Sequence, residues 1–185
     1  TLSSSNLAKQ TSTSNIYTAG GKAVTTDNQS YSPQWSSNGK YIYYTSSNSG
    51  LPQVWRANAD GSAAEQLTDY KLGVQGAVVS PDGRYIAFAA EVDPDLNDAD
   101  GSLNKEAREA KRKNPIQAHI TDHLLFRHWT EYSDGRYWHI IVFDTKSKTY
   151  KDVTPGKFHS PVFSPSGPTG FVFSPDSKEL CYLSN

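Results

Sequence analysis

Short stretches of alternating apolar and polar residues, punctuated by Ser, Pro, Asp, Asn and Gly, organise this sequence. The run Ser32-Pro33-Gln34-Trp35-Ser36-Ser37-Asn38-Gly39-Lys40-Tyr41-Ile42-Tyr43-Tyr44 reads as strand, turn and strand. It returns as Val78-Val79-Ser80-Pro81-Asp82-Gly83-Arg84-Tyr85-Ile86-Ala87-Phe88 and again as Val172-Phe173-Ser174-Pro175-Asp176-Ser177-Lys178-Glu179-Leu180-Cys181-Tyr182. A period of two puts Tyr41 and Tyr43 on one face of a strand and Ile42 and Tyr44 on the other. In the turn, proline presets φ, Asp or Asn bonds its own backbone, and glycine takes the left-handed conformation that closes the hairpin. Ser177 stands where the other copies have glycine, which predicts an altered or strained turn.

Gly39 and Gly83 lie 44 residues apart, and periods of roughly 40–50 residues with several strands each mark propeller blades. The segment 31–69 reads as a full blade, with strands near 32–35, 41–45, 53–58 and 65–67. The phrase beginning Gln53-Val54-Trp55 and ending Leu67-Thr68 has a partner that begins His139-Ile140-Ile141 and ends Val153-Thr154. A shorter version begins Asn15-Ile16-Tyr17-Thr18 and continues as Lys22-Ala23-Val24-Thr25-Thr26. The expected fold is all-β: a partial β-propeller of about three to four four-stranded blades with one helix-containing insertion. Residues 1–30 are read as the end of a first blade, 31–69 as the second, 70–155 as the third and 156–185 as the start of a fourth. The third blade is interrupted by an insertion at about 92–136. Within it, 103–113 has helical character ended by Pro115, and Lys111-Arg112-Lys113 reads as a solvated helix face. An insertion of this length is more often functional than idle.

Composition adds limits. The 36% hydrophobic and 12% aromatic content suits many half-buried strands. Eighteen basic and 19 acidic residues give a net charge of −1, which provides no attraction for nucleic acid. No apolar run approaches the roughly 20 residues of a bilayer-spanning helix. The single cysteine, Cys181, sits in an apolar run and is expected to be a small buried hydrophobe. Trp35, Trp55 and Trp138 are expected in blade cores. The start at Thr1, the absence of methionine and the Ser/Thr/Asn-rich beginning lead us to expect a processed or shortened chain of an exported, periplasmic or secreted protein. Three and a half blades leave apolar faces that call for a further stretch of chain or a partner.

Two constellations invite metal readings. His119 and His123 have the spacing of two ligands on one helix face, but Pro115 and the missing glutamate favour structural histidines. Asp93, Asp95, Asp98 and Asp100 lack the glycine and bidentate glutamate of a calcium loop and read as a solvated loop. No metal or cofactor is expected.

The Ser-Pro-Asp-Gly hairpins, the Val54-Trp55 strand, the Leu67-Thr68 ending and Asp152-Val153-Thr154-Pro155-Gly156 resemble the N-terminal propeller of prolyl oligopeptidase family serine peptidases. The stretch Leu124-Leu125-Phe126-Arg127-His128-Trp129, running into Asp134-Gly135-Arg136, is similar to the dipeptidyl aminopeptidase and acylaminoacyl peptidase branch. Members usually carry an acid directly after the tryptophan; this chain has Thr130 and then Glu131. The resemblance implies a C-terminal α/β-hydrolase domain as partner, with a Ser–Asp–His triad capped by the propeller as a size filter, and a peptide substrate. No Gly-x-Ser-x-Gly elbow occurs in the sequence, so no catalytic residue is expected here.

The residues expected to bind substrate are Glu131, Arg127, His128, Trp129 and Glu91. A carboxylate beside an apolar wall holds a substrate amine, with Glu131 first and Glu91 second. Arg127 either binds a substrate carbonyl or, with Trp129, pins the insertion to the propeller. The competing reading is a periplasmic interaction propeller of the translocation-protein type without enzymatic activity. A carbohydrate-binding propeller has only the aromatic content behind it.

Overall fold

The computed structural model describes residues 1–6, 11–96, 98–116, 127–128, 131–132, 135–161 and 170–184. An antiparallel pair comes first, β1 (Leu2–Asn6) with β2 (Thr11–Asn15). A four-stranded antiparallel sheet follows in sequence order: β3 (Ser30–Trp35), β4 (Tyr41–Ser46), β5 (Gln53–Asn58) and β6 (Glu65–Gln66). The next sheet takes β7 (Gln75–Val79) and β8 (Tyr85–Val92), and then leaves for the insertion. The insertion holds α1 (Ser102–Lys113) and a short antiparallel pair, β9 (Arg127–His128) with β10 (Glu131–Tyr132). The chain rejoins the same sheet as β11 (Tyr137–Asp144) and β12 (Thr149–Asp152), giving the order β12-β11-β8-β7. A final pair is β13 (Phe171–Phe173) with β14 (Leu180–Tyr182). The molecule is a partial β-propeller with one helix-bearing insertion.

Alternation along each strand builds the core as layers between successive sheets. Tyr43 and Val54 of the first four-stranded sheet meet Val79, Ile86, Phe88, Ala90, Val92, Ile141 and Phe143 of the second. The opposite face of the first sheet sends Ile42, Tyr44 and Ala57 against Ile16 and Val24. The opposite face of the second sends Ala87, Ala89 and Ile140 against Phe171. Strand β8 therefore serves two layers, with Ile86, Phe88, Ala90 and Val92 on one side and Ala87 and Ala89 on the other.

Two bonding devices recur from sheet to sheet. In each hairpin the serine at the start of the turn receives the amide of the returning strand: Tyr41 N–H on Ser36 Oγ at 2.9 Å, Tyr85 on Ser80 at 2.8 Å and Glu179 on Ser174 at 3.0 Å. The fourth turn position is left-handed in all three, with φ of 67° at Gly39, 74° at Gly83 and 62° at Ser177. Ser177 thus occupies the strained conformation expected of it. Its hydroxyl oxygen accepts the Asp82 N–H at 3.0 Å, which ties one hairpin to the next. The second device is a threonine that closes the outer edge. Thr25 Oγ1 accepts the Ile16 N–H at 3.0 Å, Thr68 the Val54 N–H at 2.9 Å and Thr154 the Ile140 N–H at 2.8 Å.

Two side chains depart from expectation. Trp35 is 56% exposed. Its neighbour Gln34 takes the face toward β7, bonding the Val79 N–H at 3.1 Å and the Val79 carbonyl at 3.3 Å. Alternation then turns Trp35 to the other face, beside Ile42, where the described residues offer no cover. Cys181 is also exposed. It pairs with Val172, itself 60% exposed, on the face of the last pair that points away from the Phe171 layer. Trp55 and Trp138 are half-buried against their layers as expected.

Gly61 tests how closely the first layer is packed. Its φ is +88°, and a Cβ there would sit 2.9 Å from the Val24 carbonyl oxygen, a backbone atom that cannot swing aside. Gly61→Ala is expected to cost about 2 kcal/mol or more, since left-handed backbone alone costs an alanine roughly 1–2 kcal/mol. Equilibrium denaturation in urea reads the loss.

Candidate functional site

The insertion leaves β8 at Glu91-Val92 and returns at Arg136-Tyr137, so its root lies between two hydrogen-bonded strands; Glu91 stands opposite Trp138 in that ladder. From Val92 the chain enters a loop whose aspartates satisfy backbone amides. Asp93 Oδ1 accepts the Asp95 N–H at 3.0 Å. Asp98 receives Gly101 N–H at 3.1 Å and Asn104 N–H at 2.8 Å, and Asp100 receives Ser102 N–H at 3.0 Å. The bonds to Ser102 and Asn104 satisfy amides in the first turn of α1, which have no partner within the helix. Asn104 is buried and its Oδ1 accepts the Asp93 N–H at 2.7 Å, holding the loop against the helix. Lys111, Arg112 and Lys113 occupy the exposed last turn, where cations suit the helix dipole. Among the described residues no group of His, Cys, Asp or Glu is placed to hold a metal. His119 and His123 lie outside the described residues.

Among the described residues the insertion is fastened to the sheets at three places. The Lys71 N–H reaches the Asp100 carbonyl at 3.0 Å, fastening the insertion to the crossing between the two four-stranded sheets. Lys157 Nζ pairs with Asp95 at 2.9 Å, fastening it to the segment that follows β12. At the root, the Glu91 carboxylate is 2.9 Å from Arg136 and 3.8 Å from Arg108, and Arg108 also donates to the Glu91 carbonyl. Between loop and sheet remains a cavity of about 550 Å³. Asp93, Asp95, Asp98 and Asn104 line it on one side; His139, Asp152 and Gly156 line it on the other.

His139 belongs to no sequence motif, and its role shows only in the fold. It is buried, with Nδ1 2.6 Å from Asp152 Oδ2 and Nε2 2.8 Å from the Gly156 carbonyl oxygen. A histidine on an aspartate has the look of a catalytic pair, but the repeat assigns it another job. The same position, one residue before the strand's buried Ile or Val, holds Gln53 in the first four-stranded sheet and Asn15 before it. Gln53 bonds the Tyr70 N–H at 3.1 Å and the Tyr70 carbonyl at 2.8 Å; Asn15 Oδ1 accepts the Asn28 N–H at 2.9 Å. In each case a polar side chain grips the segment that crosses toward the next sheet. The alignment of Asn15-Ile16, Gln53-Val54 and His139-Ile140 carried this signal.

Of the expected substrate-binding residues, Glu91 sits at the root with its carboxylate shared by Arg136 and Arg108. Arg127 and His128 pair in backbone register with Tyr132 and Glu131 on the short hairpin; the placement of their side chains lies outside what is described, as does Trp129.

Stacked antiparallel sheets with layered cores define a propeller-type chain, and the proteins it is similar to include peptidases and, over about a third of the chain, the Tol-Pal system protein TolB of Francisella tularensis. Over 175 residues it is 27% identical to dipeptidyl-peptidase 5 of Porphyromonas endodontalis, a match that covers 90% of this chain and 23% of that protein. It is 28% identical over 183 residues to the uncharacterized peptidase YuxL of Bacillus subtilis, covering 94% of this chain and 27% of the other. The chain thus spans about a quarter of the length of these relatives. The acylaminoacyl peptidase of Pyrococcus horikoshii superposes over 82% of this chain and 22% of its own with a TM-score of 0.53 at 15% identity, a likeness of fold. No family model matches. The resemblance to the propeller segment of prolyl oligopeptidase family peptidases, read from the motifs, is borne out by these homologues. No described helix is long and apolar enough to cross a membrane.

Proposed function

We propose that this chain is the non-catalytic propeller segment of an exported serine exopeptidase, and that it gates and positions short peptides for a hydrolase domain elsewhere in the same protein. The observation that carries this reading is the match over nine-tenths of the chain to a quarter of dipeptidyl-peptidase 5. The insertion supports it, because it rises from the middle of one sheet and is fastened to the crossings on both sides. Partial blade rings leave apolar faces that a longer chain would cover; Val172 and Leu183 are 60% and 58% exposed. In this reading Glu131 holds the substrate's amine, and Arg127, His128 and Trp129 shape the wall beside it. Glu91, neutralised by arginines, supports the insertion's root.

The test is hydrolysis of dipeptidyl chromogenic substrates by the whole protein. Cleavage of dipeptidyl substrates that serine-directed inhibitors abolish, with folded proteins left intact, is the expected result. Glu131→Gln is expected to raise KM about tenfold with a smaller change in kcat, because an amine bound in ground state and transition state alike affects binding rather than chemistry. An unchanged KM would remove Glu131 from the site, and absence of any dipeptidyl hydrolysis would sink the reading.

A further inference from the structure

The imidazole of His139 is held between two acceptors. The Gly156 carbonyl oxygen, 2.8 Å from Nε2, can only accept, so Nε2 carries a proton. The Asp152 carboxylate, 2.6 Å from Nδ1, accepts as well, so Nδ1 carries the second. Both contacts are satisfied together only by the imidazolium ion. Loss of one proton keeps the Nδ1–H that the Asp152 carboxylate holds and leaves the Nε2 lone pair facing the Gly156 carbonyl oxygen at hydrogen-bond distance, and that contact turns repulsive. The corresponding latches, Gln53 and Asn15, are amides with no proton to lose. The latch that bears the insertion is therefore ionisable, and the other two are not.

We propose that His139 is a proton-dependent latch: as imidazolium it clamps the 152–156 segment to β11 and closes one wall of the cavity beneath the insertion, and on deprotonation it releases that segment. The clamped segment leads directly to Lys157, which pairs with Asp95 of the insertion loop, and to Ser160, whose N–H bonds the Trp138 carbonyl at 2.7 Å. Release at His139 thus loosens one of the insertion's fastenings to the sheets.

The charged and titratable groups around the latch come from every side. Asp152 and Lys151 are on β12, with Tyr150 beside them; Asp93, Asp95 and Asp98 line the facing loop; Lys157 and His159 follow the clamp, with Glu91 at the root. Burial alone would lower the His139 value. The hydrogen bond and charge of Asp152, with the Gly156 carbonyl, outweigh it and leave the imidazole raised above its ordinary value. A base raised on folding contributes stability in full below the unfolded value of about 6.5, and that contribution is lost as pH rises through the folded value. His159 moves the other way. Burial lowers it, Glu91 opposes, and the charge of His139 lowers it further, so its own titration acts on the acid side and does not imitate the latch.

Hydrogen exchange in the whole protein, followed by mass spectrometry on peptides covering 152–160 and corrected for intrinsic rates, tests this. Between pH 6 and pH 9.5 protection there is expected to fall about tenfold, while peptides from β4 and β5 stay level. His139→Gln, which supplies the latch used at Gln53, is expected to hold protection level across the range. Asp152→Asn removes the carboxylate and is expected to move the fall to lower pH by about one unit. Flat protection in the unaltered protein, an equal fall in His139→Gln, or an unmoved midpoint in Asp152→Asn would each overturn the latch. The unaltered protein and Asp152→Asn decide the matter if the glutamine variant does not fold.

Discussion

Phe88→Ala is expected to destabilise the propeller segment by about 3–5 kcal/mol, the range for removing a fully buried aromatic side chain. Phe88 lies at the middle of β8 and is 0% exposed. Its ring meets Tyr70 edge-on at 5.1 Å and Tyr150 at 6.3 Å. Tyr70 belongs to the crossing that also carries Lys71, the point where the insertion loop is fastened. Truncation therefore opens a void where two sheets and the insertion's footing converge. The neighbours cannot close it cheaply: Tyr70 is itself 0% exposed, and Ile86 beside it is fixed in the same layer. Calorimetric or urea unfolding measures the loss. Phe88→Leu, which keeps most of the volume, is expected to lose less than half as much. Equal losses for the two would show that the site collapses freely and that the layer is not tightly packed.

The second large effect belongs to Thr68. Its hydroxyl oxygen accepts the Val54 N–H at 2.9 Å, and its hydroxyl proton goes to Gln53 Oε1 at 2.8 Å; all three residues are buried. Thr68→Val keeps the shape and strands a buried donor, a loss of about 1–3 kcal/mol. Thr68→Ser retains the hydroxyl and is expected to cost less, mainly the lost methyl contact. Thr154 bonds Ile140 in the same way, so Thr154→Val should cost a similar amount. Far-separated sites of this kind add, and the double variant is expected to show the sum. A valine variant as stable as the parent would mean that the threonine hydroxyl does not close the edge.

How much of this was legible in the sequence follows from what a strand pattern encodes. Alternation and turn residues are local, so Tyr43 and Tyr44 could be sent to opposite layers and Ser177 marked as a strained turn from residue order alone. Alternation names a face without saying what covers it. Trp35 and Cys181 obey the alternation and are nevertheless exposed, because the described residues bring no sheet against them. The threonine endings were visible as Leu67-Thr68 and Val153-Thr154, while their role came only with the bond back to the neighbouring strand of the sheet. The aspartates of the loop illustrate the converse. Their composition looks like a metal loop, but geometry spends them on the amides of Asp95, Gly101, Ser102 and Asn104. His139 was missed because a single histidine in a β run has no motif; only the comparison of equivalent positions across the repeat gives it meaning.

The measurement that bears most directly on the account is labelling of the whole protein with a fluorophosphonate, followed by mass mapping of the modified residue. The account predicts one adduct per polypeptide, on a serine outside residues 1–185, with dipeptidyl hydrolysis lost in step with labelling. An adduct on a serine within residues 1–185, or a protein that neither reacts nor hydrolyses, would contradict it.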